Sequence, residues 1–129
     1  MAKQFTLGKN ERLKSRKIIE ELFSEGNKFV IPPFRVFYIY DNKTYSLHFG
    51  TGVSSKHFKK AVDRNRIKRM MREAYRLLKN ELQSTLTGQN KQLNIFIIYA
   101  GKELPEYKEV YIKMEKVIHK LCTMLSNIQ

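Results

Sequence analysis

Residues 61–76 read AVDRNRIKRMMREAYR. Stepping around a helix at about 100° per residue from Ile67 brings Met70, Met71, Ala74, Leu77, Leu78 and Leu82 within roughly 80° of one line. That is a stripe for burial. The same steps put Asn65, Lys68, Arg69, Arg72, Arg76 and Lys79 in a sector from about 100° to 200°, with no acidic residue among them. The stretch therefore predicts a long helix, from about residue 59 to 84, docked on a core by one side and presenting a cationic face on the other. Residues 54–80 hold ten Lys or Arg against Asp63 and Glu73, a net of +8 out of +13 for the whole chain.

A solvated helix normally places Glu four residues ahead of Lys or Arg, because such pairs support the helix and like charges at that spacing oppose it. Here Lys68, Arg72 and Arg76 stack like on like. Self-repulsion of this kind is relieved by an anionic partner. A pI near 9.9 leaves two partner classes, nucleic acid and anionic membrane. The longest apolar run, Ile95 to Ala100, is far short of the roughly 20 residues of a spanning helix, and the first residues show no signal-peptide core. A soluble cytoplasmic protein without membrane association is expected. With 129 residues, 42% of them hydrophobic and 15 aromatic, the chain is expected to fold as one domain over 1–129. Residues 1–14 are expected to form a basic arm that orders on binding. The single cysteine, Cys122, forms neither an internal disulfide nor a zinc site and reads as a core residue on a helix.

Around the long helix the chain divides readily. Ser15 caps a helix over 16–25 with Ile18, Ile19, Leu22 and Phe23 on one face and Gly26 as its stop. FRVFYIY, 34–40, alternates as a strand with two largely apolar faces, both expected to be covered. Asp41-Asn42-Lys43 reads as a turn and 44–53 as the hairpin partner, with Gly50 and Gly52 hinting at a bulge and a third short strand to be cut from it. After the long helix, 87–91 is a polar loop, 93–100 a buried strand, and about 105–126 a final helix burying Val110, Met114, Val117, Ile118, Leu121 and Leu125. The fold class is α/β (α+β): a sandwich in the order α-β-β-(β)-α-β-α, with one mixed sheet of about four strands and helices packed on it.

Catalytic chemistry is not visible. The three histidines, His48, His57 and His119, are far apart, and no HExxH, CxxC, Gly-rich phosphate loop or GxSxG occurs. Two Asp and ten Glu spread mostly over helical surfaces argue against a two-metal nuclease. No catalytic residue and no protein metal ligand is assigned. His57, among Lys56, Lys59 and Lys60, reads either as a phosphate contact or as a solvated loop residue. Phe23, Phe34, Phe37, Tyr38 and Tyr40 read first as core. Some of them would alternatively floor a groove, since unpaired RNA bases stack on rings beside basic side chains.

Ala61-Val62-x-Arg64-Asn65-Arg66-Ile67-Lys68-Arg69-x-x-Arg72-Glu73-Ala74 closely resembles the signature of the bacterial ribonuclease P protein component. Arg12-Leu13, Phe23-x-x-Gly26, the strand through Phe37, Val53-Ser54-Ser55-Lys56 and Ile95-Phe96-Ile97-Ile98 follow that family in the same order. The resemblance implies the protein subunit of ribonuclease P, binding the catalytic RNA and promoting endonucleolytic removal of the 5′ leader from precursor tRNA. It further implies a left-handed βαβ crossover through the signature helix, chemistry done by the RNA, magnesium bound through that RNA, and a 1:1 complex. Arg64, Asn65, Arg66, Lys68, Arg69 and Arg72 would then contact the catalytic RNA. Ile19, Phe23 and Phe37, with Lys56 at the edge, would receive the leader. Ile19 stands where the family often has an aromatic, and 56–60 is one residue longer than the family's Lys-Lys-x-Gly pattern. The alternative reading is a general RNA-binding, ribosomal or RNA-chaperone protein, for which the same charge and aromatics suffice.

Overall fold

The computed structural model describes residues 12–13, 15–41, 45–89 and 91–126. The elements in order are α1 (Arg16–Glu25), β1 (Asn27–Ile31), β2 (Phe34–Asp41), β3 (Ser46–Val53), α2 (Ala61–Gln89), β4 (Gln92–Tyr99) and α3 (Tyr107–Ser126). The four strands form one mixed sheet in the order β1-β2-β4-β3. The α+β architecture is the one expected, but the strand pairing is not.

Sequence order favours pairing β2 with β3 as a hairpin. Instead β1, which no alternation in 27–31 announces, is the hairpin partner of β2, joined through Pro32-Pro33. β4 lies between β2 and β3, antiparallel to the first and parallel to the second. Composition accounts for this arrangement. LNIFIIYA is the most continuously apolar strand and needs cover on both faces and both edges, whereas β3 carries His48, Gly50 and Gly52 and tolerates an edge. The third strand thus comes from 27–31, not from 44–53, and β3 runs in unbroken register past both glycines without a bulge.

One face of the sheet is the core. Phe34, Val36, Leu47, Phe49, Leu93, Ile95 and Ile97 are buried there against Ile67, Met71, Ala74 and Leu82 of α2 and Val110, Met114, Val117 and Leu121 of α3. Phe49 stacks on Tyr75 with ring centroids 3.7 Å apart and an interplanar angle of 1°. Gln89, in the last turn of α2, donates to the Leu125 carbonyl near the end of α3 at 3.0 Å, while Tyr107, starting α3, lies beside Glu73 and Arg76. The two helices therefore run side by side in the same direction.

Packing of α2 on α3 explains why α2 continues through 87–89, where a loop was expected. Gly88 costs a helix about 1 kcal/mol, but buried Leu86 and the Gln89 bond hold the last turn to α3. The buried arc of α2 is also rotated from the expected stripe. Leu77 is 39% exposed, while Tyr75, Lys79 and Leu86 are buried, because the helix must face β3 as well as α3.

Among the described residues, the helix on the opposite face is α1, ten residues long. Ser15 Oγ accepts from the Ile18 amide at 3.3 Å and the Gly26 amide donates to the Leu22 carbonyl at 3.1 Å, so the cap and stop signals act as expected. A helix this short buries Leu22 and, among the described residues, leaves Phe37, Phe96 and Ile98 of the outer sheet face only half-buried.

Candidate nucleic-acid interface

The first surface is the exposed side of α2. Asn65, Arg66 and Arg69 are exposed, and Lys68 and Arg72 are half-buried. Lys79, expected on the same face, is buried at 1% exposure and belongs to the core side. Arg64 faces back toward the chain: its Nη1 donates to the carbonyls of Phe58 at 2.7 Å and Lys59 at 2.9 Å. Because Phe58 is itself in the core against Tyr99, Arg64 ties the 54–60 approach to the start of α2. Arg76 makes a two-pronged ion pair with Glu73, with Nε to Oε1 at 3.0 Å. The hydrogen bond from Arg76 holds the Glu73 carboxyl below its usual pKa.

The like-charge stacking visible in the sequence is therefore partly dissolved, and what remains is more concentrated. Arg12 bridges to Phe49 along the free edge of β3, and the Leu13 amide donates to the Phe49 carbonyl at 2.9 Å. Docked in this way, Arg12 joins Arg69, Arg72, Glu73 and Arg76 around an open concavity of about 310 Å³. Burial, and then the charges of Arg12 and Arg69, push the Arg72 pKa below its ordinary value. It stays a cation, in a cluster that an anion would relieve. Of the expected arm only Arg12 and Leu13 lie within the described residues, and both are docked. Nothing in their spacing signals this, since edge pairing needs the β3 edge to be free.

The second surface is the open outer face of the sheet. Phe37 of β2 and Phe96 of β4 are cross-strand partners, and Phe96 is level with Gly50 of β3. Phe23 of α1 meets both rings edge-on, with centroids 5.0 Å from Phe37 and 5.4 Å from Phe96. Ile19, half-buried, is one turn before Phe23 on the same helix face. A Cβ on Gly50 would lie 2.8 Å from Cδ2 of Phe96, and one on Gly52 would lie 3.0 Å from its Cε1. The two glycines let the Phe96 ring lie flat over β3.

Phe23 is 46% exposed and Phe37 half-buried, so this aromatic cluster is a partly exposed surface and not a second core. Thus Ile19, Phe23 and Phe37 are brought to one place. Lys56 stands exposed in the turn beyond the end of β3. Phe96 completes the aromatic cluster, although the sequence alone does not mark it as a site residue; its signal is the glycine pair, readable only once the parallel register is known. Leu13 links the two surfaces, because its Cβ is 3.3 Å from the same Gly50 position while Arg12 beside it joins the α2 cluster.

Among the described residues no group of three or more His, Cys, Asp or Glu is placed to hold a metal ion, and no helix is long and apolar enough to cross a membrane.

A family model described as Ribonuclease P matches residues 7–122. The chain belongs to the ribonuclease P protein family. A ribonuclease P protein component from Porphyromonas gingivalis strain W83 is 38% identical over 120 residues, covering 91% of this chain and 87% of the relative. One from Chlorobium phaeobacteroides is 29% identical over 128 residues, covering 90% and 88%. The solved structure of the Staphylococcus aureus RNase P protein superposes with a TM-score of 0.66 at 20% identity, covering 88% of this chain and 96% of that one. At that identity the likeness concerns the fold. Residues 61–74, which carry the signature resemblance, open α2 within the part of the chain that concentrates the positive charge.

Proposed function

We propose that this chain is the protein subunit of ribonuclease P, that it binds the catalytic RNA through the exposed face of α2, and that it holds the 5′ leader of precursor tRNA in the aromatic cleft. Family membership supports a place in this endoribonuclease complex and in tRNA 5′ processing. The observation that carries the finer reading is the continuity of the two surfaces: the docked Arg12-Leu13 pair contributes a cation to the Arg69–Arg72 cluster and an apolar wall to the cleft at Gly50. One nucleic acid can lie on the charged face while a single strand turns onto the rings, with phosphates met by guanidinium groups and bases by aromatic faces.

Arg69, Arg72, Lys68, Asn65 and Arg66 are the RNA-facing groups in this reading. Arg64 acts chiefly by bracing the approach to α2. Ile19 supplies apolar contact, Phe23 and Phe37 stacking, and Lys56 a phosphate contact where the strand leaves the sheet. The catalytic groups reside on the RNA, and magnesium enters with its phosphates in a 1:1 complex.

Reconstitution with the cognate catalytic RNA at low and high magnesium tests this reading. Addition of protein is expected to lower the magnesium requirement and to favour precursor over mature tRNA. Phe37→Ala should weaken binding of leader-bearing precursor more than that of mature tRNA; equal losses would overturn the leader assignment. Recovery of heterogeneous RNA with the purified protein, in place of one large structured species, would favour a general RNA-binding protein. Cleavage of precursor tRNA by RNA-free protein would overturn the assignment of chemistry to the RNA.

A further inference from the structure

The first turns of α3, where Tyr107 and Tyr111 are one helical turn apart, lie near the basic face of α2. Their ring centroids are 6.2 Å apart with an interplanar angle of 50°, and Tyr107 is 37% exposed. Tyr107 is close enough to Glu73 and Arg76 for both charges to act on its phenol. Glu73 and Arg76 are the ion-paired residues at the edge of the concavity formed with Arg12, Arg69 and Arg72. An exposed ring in tilted contact with a second ring and near the Glu73–Arg76 ion pair has the composition of a base-stacking platform. A ring in the core would be covered, whereas Tyr107 keeps an exposed face near two residues that line the cationic concavity.

We propose that Tyr107, backed by Tyr111, stacks an unpaired base of the RNA that lies across α2, so that the RNA interface extends onto α3. Continuity favours one occupant: Tyr107 is near the Glu73–Arg76 ion pair, which lines the concavity with Arg12, Arg69 and Arg72. An aromatic face near such a polyanion-selecting cluster matches a nucleobase. Glu73 serves the site by directing Arg76, and the Arg76 charge compensates that of Glu73 beside the phosphates. The inference rests on the reading of the α2 face as an RNA interface.

The test is titration of the catalytic RNA with full-length wild-type protein, Tyr107→Ala and Tyr107→Phe at several salt concentrations. Loss of a stacked base should weaken Tyr107→Ala by about 5- to 150-fold at every salt concentration, because stacking contributes affinity without counterion release. Tyr107→Phe should stay within about twofold of wild type, since the ring stacks without its hydroxyl. The chain has no tryptophan, so Tyr107→Trp introduces a sole indole whose emission should be quenched on saturation with RNA.

The inference is overturned if Tyr107→Ala binds within about twofold of wild type, or if the indole emission is unmoved at saturating RNA although Tyr107→Ala binds weakly, which would mark a packing role. Failure of wild-type protein to bind the RNA would overturn the RNA reading and this inference together; wild-type binding with an unresponsive Tyr107 overturns the inference alone.

Discussion

Arg64 and Arg69 belong to the same basic signature, yet the structure predicts that replacing them will do different things. Arg69 is exposed beside Arg12 and Arg72, so Arg69→Ala should remove a phosphate contact and leave the fold intact. Removing one phosphate contact lowers the slope of log affinity against log salt by about 0.7 to 0.9. Between 50 and 200 mM salt the variant's affinity should then fall about threefold less than that of wild type, and about tenfold less for Arg69→Ala with Arg72→Ala. Arg64 instead donates to two backbone carbonyls that fix the turn before α2. Charged hydrogen bonds contribute about 1.5 to 3 kcal/mol each when enclosed. Half-buried as it is, Arg64→Ala should cost about 1 to 3 kcal/mol of folding stability and change the salt slope little. RNA titration at four salt concentrations together with urea denaturation separates the two effects. If Arg64→Ala reduced the slope by a full contact without destabilising the protein, or Arg69→Ala left the slope unchanged, the division of labour drawn from the hydrogen bonds would be wrong.

Lys79→Met should leave the salt slope at its wild-type value, because a lysine buried to 1% exposure meets no phosphate; a lower slope in RNA titration would refute its placement. Phe96→Ala should reduce the preference for leader-bearing over mature tRNA by at least about fivefold, the lower range for one stacked base, measured by competition binding. Gly50→Val should destabilise the fold by about 1 to 3 kcal/mol in urea denaturation, since even a Cβ there lies 2.8 Å from the Phe96 ring. Burial pushes the Cys122 thiol up to about 11, so the folded state favours the neutral thiol and loses that preference as pH rises from the unfolded value toward 11. Between pH 9 and 11 wild type should therefore lose stability relative to Cys122→Ala, and parallel pH profiles for the two would refute this.

The limits of the sequence are clearest along α2. Periodicity located the helix and its charge, but a projection treats every position within a sector alike. It could not separate Arg69, which faces solvent, from Lys79, which the fold buries, nor foresee that Arg76 would turn onto Glu73. The hairpin expectation failed for a similar reason. Local order favours pairing successive strands, but the free energy of covering both faces and edges of LNIFIIYA placed β4 between β2 and β3.

By itself the sequence determined the helices and their caps, the apolar strands, the concentration of positive charge and the family, because these follow from residue type, period and spacing. Only the tertiary structure decided which cations remain outside, that Arg12 joins them along the edge of β3, and that Phe96 lies over two glycines in one cluster with Phe23 and Phe37. Those are contacts between segments distant in the chain, and they exist only once the parallel β3–β4 register has been set.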